Sequence, residues 1–264
     1  MNEHIKAIVH PVIAFIVLVL IWDLSIRVFK IPNYILPTPA AMVEALRRGY
    51  IDGLFWPHFR FTLWSMVLGY TLGCTLAFVL GCVFVEFRPV ERVFYPYVLA
   101  LQSMPKVALA PLIIVWFGFD LASKVVMVAL VCFFPMFINT AVGLRQTNPA
   151  LLDLMRAFSA SRWHILTRIK IPSASGHIFA GLEIAIVLGL IGAVVAEFIS
   201  SSRGLGYLIN AAAVNLETNT MFAALASLAF IGICGSQAVR RMHNRVVFWD
   251  KRSASQIAAT EQKA

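Results

Sequence analysis

The sequence predicts an all-α integral membrane protein of about six transmembrane helices with both termini in the cytoplasm, and three observations carry that prediction. Hydrophobic residues make up 60% of the 264 positions and charged residues 13%, about half the charged share of a soluble domain. Mean hydropathy is +0.81, and long stretches carry no charge, as befits apolar side chains dissolved in lipid. The 22 Lys and Arg, giving a net charge of +9, gather between the apolar runs, where they read as orientation signals and contacts with anionic lipid. No basic stripe with interleaved aromatics accompanies them, so a nucleic-acid partner is not expected. A water-soluble globule and a disordered chain are both excluded.

Crossing a bilayer as helix takes about 20 apolar residues, because only the helix satisfies its own backbone groups in lipid. The first span is expected from Val9 to Phe29, with Asp23 near its end. It lacks a small-residue cleavage site and so stays in place rather than acting as a secretory signal. Leu36-Pro37-Thr38-Pro39 then leads into an amphipathic stretch, Ala40 to Arg48, placed as a short helix along the outer face. The second span runs from Phe61 to Val85 and the third from Tyr95 to Phe119. Pro105 and Pro111 lie inside the third, which should kink or break there. Val125 to Leu144, Ile178 to Ile199 and Met221 to Val239 complete the six, and a basic tail follows over about 240–264. The whole reads as a single transmembrane domain, 1–264. With the termini inside, 14 Lys and Arg are cytoplasmic and seven external, Lys124 counted among the external ones and Lys106 within a span. The positive-inside rule favours that orientation.

Two spans carry small residues at every fourth position. Gly69, Gly73, Ala77 and Gly81 line one face of the second, and Gly181, Ala185, Gly189 and Ala193 one face of the fifth. Such faces let backbones approach closely, either within one subunit or between two. The cysteines, Cys74, Cys82, Cys132 and Cys234, sit inside apolar segments without metal or disulfide spacing and read as small core hydrophobes. The six histidines have no ligand-like spacing, so no metal site is expected. Neither a P-loop, an HExxH nor a Ser/His/Asp arrangement is present, and Gly204-Leu205-Gly206 reads as a turn rather than a dinucleotide site. No catalytic residue is expected.

Ionisable groups at membrane depth are functional candidates by default. Lys106, Glu183 and Glu197 meet that description, with Glu197 read either as an outer-edge residue or as part of a solute exit. Gln102, Ser103 and Asn139, with Thr140, add the polar groups that a transiently contacted passage needs. The cytoplasmic segment from 145 to 176 is longer than a connection requires. Its core, DLMRAFSASRWHILTRIKIP from Asp153 to Pro172, should form two short basic helices. Pro149 opens the first, Ala150 to Phe158 continue it, and the second runs through Ile169 until Pro172 ends it.

This chain resembles the permease subunits of ATP-binding-cassette importers, in the branch that imports nitrate, taurine and alkanesulfonates. Their loop signature is Glu-Ala-Ala, three residues, Gly, nine residues, Ile, one residue, Leu-Pro. Here Asp153, Leu154 and Met155 stand for the first three, Ser159 for the Gly, and Ile169, Ile171 and Pro172 close it at the same spacing. Other shared marks are Leu36-Pro37-Thr38-Pro39, Met104 to Gly118, Ala160-Ser161-Arg162-Trp163, Ala180-Gly181-Leu182, Ala196-Glu197-Phe198, Gly204 to Leu208 and Trp249.

The resemblance implies a type I importer permease in a bacterial inner membrane. It implies that Asp153, Leu154, Met155, Arg156, Ala157, Phe158, Ser159, Ala160, Ser161 and Arg162 dock on a separate ATPase, present in two copies and using ATP and Mg. A second permease copy would complete the path, a periplasmic binding protein would deliver the solute, and this chain would bind no cofactor. The expected cargo is a small anionic solute such as a sulfonate, taurine or nitrate. The competing class is an ion-coupled carrier or channel, for which internal inverted repeats would be the mark. At Ser159 a left-handed backbone would cost up to about 1 kcal/mol relative to glycine. Ser159 is therefore expected to cap the second helix, accepting from the N–H of Ser161 or Arg162, with Ser161 as the rival cap.

Overall fold

The computed structural model describes residues 3–247, and among them every regular element is helical. In order these are α1 (Glu3–Phe29), α2 (Pro39–Ile51), α3 (Phe55–Glu86), α4 (Arg88–Ser103), a 3₁₀ turn (Lys106–Leu109), α5 (Ala110–Phe117) and α6 (Leu121–Arg145). There follow α7 (Pro149–Ala157), α8 (Arg162–Ile165), a π turn (Leu166–Lys170), α9 (Ile171–Ser173), α10 (Ser175–Ser200), α11 (Leu205–Val214) and α12 (Thr218–Val246). The tail beyond 247, Trp249 included, lies outside the described residues. Residues 3–62 with 202–229 form one compact unit, and 63–201 with 230–247 a second.

Among the described residues five helices, α1, α3, α6, α10 and α12, are long and apolar enough to cross a membrane. The sixth span exists only as a bent pair, in which Pro89–Ser103 and Lys106–Phe117 meet at 89°. Pro105 makes that break. It has no N–H to continue the ladder and drives the preceding residue out of the helical region, and Met104 is extended with ψ at 139°. Pro111 does no such damage, because it sits in the first turn of α5, where the N–H would have no partner anyway.

In the first unit, Thr38 caps α2 by accepting from the Ala41 N–H at 3.2 Å, so the expected short helix begins at Pro39 and reaches Ile51. Gly49 leaves room for the Phe55 ring, which is only 1% exposed. Tyr50 meets that ring edge-on and donates to the Ser227 hydroxyl at 3.0 Å. Helix α11 is apolar but too short to span. Gly204 supplies the expected turn with φ at +112°, a conformation that L side chains rarely adopt, and the chain then coils at once into α11. Two side chains of α3 satisfy its first donors: the Thr62 hydroxyl accepts from the Leu205 N–H at 2.8 Å, and His58 Nδ1 from the Gly204 N–H at 3.2 Å.

The second unit is built on α6. Both ladders of small residues turn toward it. A Cβ at Gly69 would lie 2.5 Å from the Val128 Cβ, and one at Gly73 would strike the Ala129 backbone. From the other side, Gly181 meets Asn139 and Met136, and Gly189 meets Cys132. Of the two uses open to these faces, the structure shows packing within one subunit. Cys74, Cys82 and Cys132 are buried in this core. Cys234 is exposed instead: in a membrane helix a weakly polar thiol can face lipid as readily as core, so apolar context alone did not place it.

Candidate functional site

Two regions of the second unit carry the candidate residues: the loop between α6 and α10, and the break between α4 and α5. In the loop, Asn148 caps α7, its side chain accepting from the Ala150 N–H at 2.9 Å, and Pro149 occupies the first turn as expected. Where α7 ends, Ser159 is left-handed, with φ at +57°. Its N–H donates to Arg156 O at 2.9 Å, and the Ala160 N–H donates to Met155 O at 3.0 Å. That pair of bonds is the Schellman arrangement, which closes a helix through a left-handed residue one position past the cap. Ser159 thus holds the place where the resembling family has glycine and adopts the glycine conformation, contrary to the N-cap expected of it. The cap of α8 is Ser161, whose hydroxyl accepts from the His164 N–H at 3.2 Å.

Pro172 does not end the second helix either. The π turn Leu166–Lys170 precedes it, and helical backbone continues through α9 toward α10. A proline has no N–H for the ladder, and the widened turn absorbs that loss without terminating the helix.

Asp153, Leu154, Arg156, Ala157, Phe158, Ser159, Ser161 and Arg162 are exposed, while Met155 and Ala160 are half-buried. Asp153 pairs with Arg156 at 3.1 Å. Leu154, Phe158 and Trp163 stand in solvent at 53%, 77% and 73% exposure. The loop is fastened at both flanks. Lys170 donates to Glu86 at the end of α3 at 2.7 Å. Arg145, the last residue of α6, pairs with Glu91 in the first turn of α4 and lies 5.1 Å from the Tyr95 ring centre.

The structure gathers Gln102, Ser103 and Lys106 at the broken span. Lys106 donates to Gln102 O at 3.0 Å and lies over the Phe134 ring at 4.7 Å. The other path candidates lie elsewhere. Asn139 turns back on its own helix, donating to Pro135 O at 2.8 Å, and Thr140 is buried beside Gly81. Glu183 pairs with Arg240 at 3.6 Å, roughly 20 Å along α10 from Glu197 by helical rise. Glu197 is 1% exposed and acts electrostatically on Lys124.

Lys124 is the residue that sequence reasoning missed. Counted as an external loop charge, it is fully buried in α6. Its ammonium donates to Phe119 O at 2.6 Å and Ser200 O at 2.8 Å, with the Ser123 and Ser200 hydroxyls at 3.4 Å. A span begun at Leu121 would have placed it at membrane depth and flagged it.

A helical membrane protein with a projecting basic loop and a broken span matches a known pattern over most of its length. The family described as binding-protein-dependent transport system inner membrane component matches residues 69–248. The chain belongs to that family. It is the multi-pass inner-membrane permease subunit of an ATP-binding-cassette importer, and the family is one of transport permeases, not enzymes.

The permease is 33% identical to the formylaminopyrimidine transport permease protein ThiX of Halalkalibacterium halodurans, over 92% of this chain and 96% of that one. It is 30% identical to the putative aliphatic sulfonates transport permease protein SsuC of Bacillus subtilis, over 88% and 84%. The inward-facing MetNI methionine ABC transporter shares the fold, with a TM-score of 0.60 at 14% identity over 72% of this chain and 98% of that one.

Proposed function

We propose that this permease forms a solute path as a homodimer and docks through residues 145–176 on a separate ATPase that binds ATP and Mg, while a periplasmic binding protein delivers the solute. The observation that carries the reading is the loop surface. Leu154, Phe158 and Trp163 are exposed on a basic two-helix projection, and in an inner loop such apolar groups need a protein partner to leave water. The capped, fastened loop is stiff enough to transmit unequal binding of an ATPase to two states of the spans. Apolar residues at the broken span, among them Val115 and Trp116, are exposed and offer a surface for a second copy.

The proposed cargo is a small anionic solute, passing the Lys106 cation beside the break. The name of the SsuC relative favours this class. A formylaminopyrimidine is the second reading, favoured by the name of the ThiX relative. Purified with its cognate ATPase, the permease should give a complex with two copies of each by native mass measurement. Phe158→Ala with Trp163→Ala should release the ATPase while leaving the permease folded. Retention of the ATPase by that variant, or one permease copy per complex, would overturn the reading.

A further inference from the structure

Between the docking loop and the turn joining α3 to α4 lies a cavity of about 1060 Å³, lined from one side by Glu86, Phe87 and Glu91 and from the other by Arg156, Arg162 and Lys170. Two ion pairs span it. Lys170–Glu86 ties the late part of the loop to the last residue of α3 at 2.7 Å, with both side chains only 15% exposed. Arg145–Glu91 ties the loop's beginning to the first turn of α4, and the Arg145 guanidinium also rests against Tyr95 one turn further along α4. Each flank of the loop therefore holds the turn from which α4 runs to the break at Pro105.

The electrostatics suit this use. Glu86 ends α3, where the helix dipole disfavours a carboxylate, and Lys170 compensates it; Glu91 lies in the first turn of α4, where the dipole favours one. At 15% exposure, water screens the Lys170–Glu86 pair far less than a surface pair. A displaced loop must then either drag the α3–α4 turn with it or separate two charges in a poorly solvated place.

We propose that Lys170–Glu86 and Arg145–Glu91 are positioning pairs that carry movement of the docking loop into α4, and so into the broken span bearing Gln102, Ser103 and Lys106. This rests on the loop being the ATPase dock. The pairs touch neither solute nor nucleotide; they decide whether hydrolysis is converted into movement of the path.

The test uses the whole importer in proteoliposomes, measuring ATPase retention, ATP hydrolysis and uptake of the solute identified for its binding protein. Glu86→Lys and Glu91→Arg should retain the ATPase and continue hydrolysis, but solute moved per ATP should fall by about tenfold, a typical coupling energy. The swaps Glu86→Lys with Lys170→Glu, and Glu91→Arg with Arg145→Glu, should restore that ratio to within about twofold. Should a reversed charge reduce folded protein, Glu86→Gln and Glu91→Gln give the same reading with a smaller loss. An unchanged solute-to-ATP ratio in the single variants, or swaps that recover nothing, overturns the proposal. Failure of the docking reading looks different: there Phe158→Ala with Trp163→Ala keeps the ATPase bound.

Discussion

Where α6 meets α3 and α10, glycines bring backbones together until no Cβ fits, and Val128 and Cys132 are fully buried. Along α4 and α5, in the same unit, Val93, Phe94, Tyr97, Leu101, Val115 and Trp116 are exposed. Each region holds a lysine. Lys124 in the seam is enclosed by carbonyls from two segments and has Glu197 for a counter-charge. Lys106 at the break has one carbonyl of its own turn and a ring face. In the seam a cation is committed to holding helices together, whereas at the break it keeps donors for something else. Hydropathy cannot separate these cases, because both cations interrupt apolar runs.

The sharpest way to break this contrast is to remove the Lys124 charge. Lys124→Met strands the Phe119 and Ser200 carbonyls that its ammonium now satisfies, which should lower stability by about 2–4 kcal/mol; Lys106→Met should change it by less than about 1 kcal/mol. Unfolding in detergent measures both, and equal losses would erase the difference between the regions. Next in size, Gly73→Val forces α3 away from Ala129 and should cost about 1–3 kcal/mol, whereas Val115→Ala on exposed α5 should be nearly silent by the same measurement.

Transport should show the opposite ranking. Lys106→Gln should reduce uptake of an anionic solute by about tenfold, the scale of one lost charge contact, with Lys106→Arg largely retained and binding-protein affinity unchanged. Equal loss in both variants would return Lys106 to a structural role.

Smaller effects test the loop. Ser159→Gly should stabilise the permease by up to about 1 kcal/mol, because glycine adopts the left-handed conformation freely. Ser161→Ala should destabilise it by about 1 kcal/mol by removing the cap. A Ser159→Gly variant less stable than the parent would contradict the Schellman end of α7.

The smallest effect belongs to exposed α2. Hydrogen bonds from Arg47 and then Arg48 pull the Glu44 carboxyl down from 4.5 to about 2. Its contribution is therefore present above pH 4.5 and lost as pH falls toward about 2. The carboxylate infrared band, compared with Glu44→Gln, should persist well below pH 4; its loss near 4.5 would show the arginines disengaged.

By itself the sequence determined the class, the spans and the loop. Those follow from quantities that are local and summed along the chain: hydropathy over about 20 residues, charge between runs, and proline chemistry at Pro105 and Pro149, whereas the caps at Thr38 and Asn148 came into view only with the structure. The two small-residue ladders were legible too, though not the helix they faced. The tertiary structure alone decided the rest. Whether Ser159 or Ser161 capped depended on how α7 closed, since the hydrogen bonds of Ser159 and Ala160 to Arg156 and Met155 hold Ser159 left-handed. Helix α11 depends on donors satisfied by His58 and Thr62, which lie far away in sequence. Lys124 looked like a loop charge because Ser200, 76 positions on, supplies one of the carbonyls that make its burial tolerable. A buried polar group is affordable only with partners, and which residues become partners is a property of the folded chain.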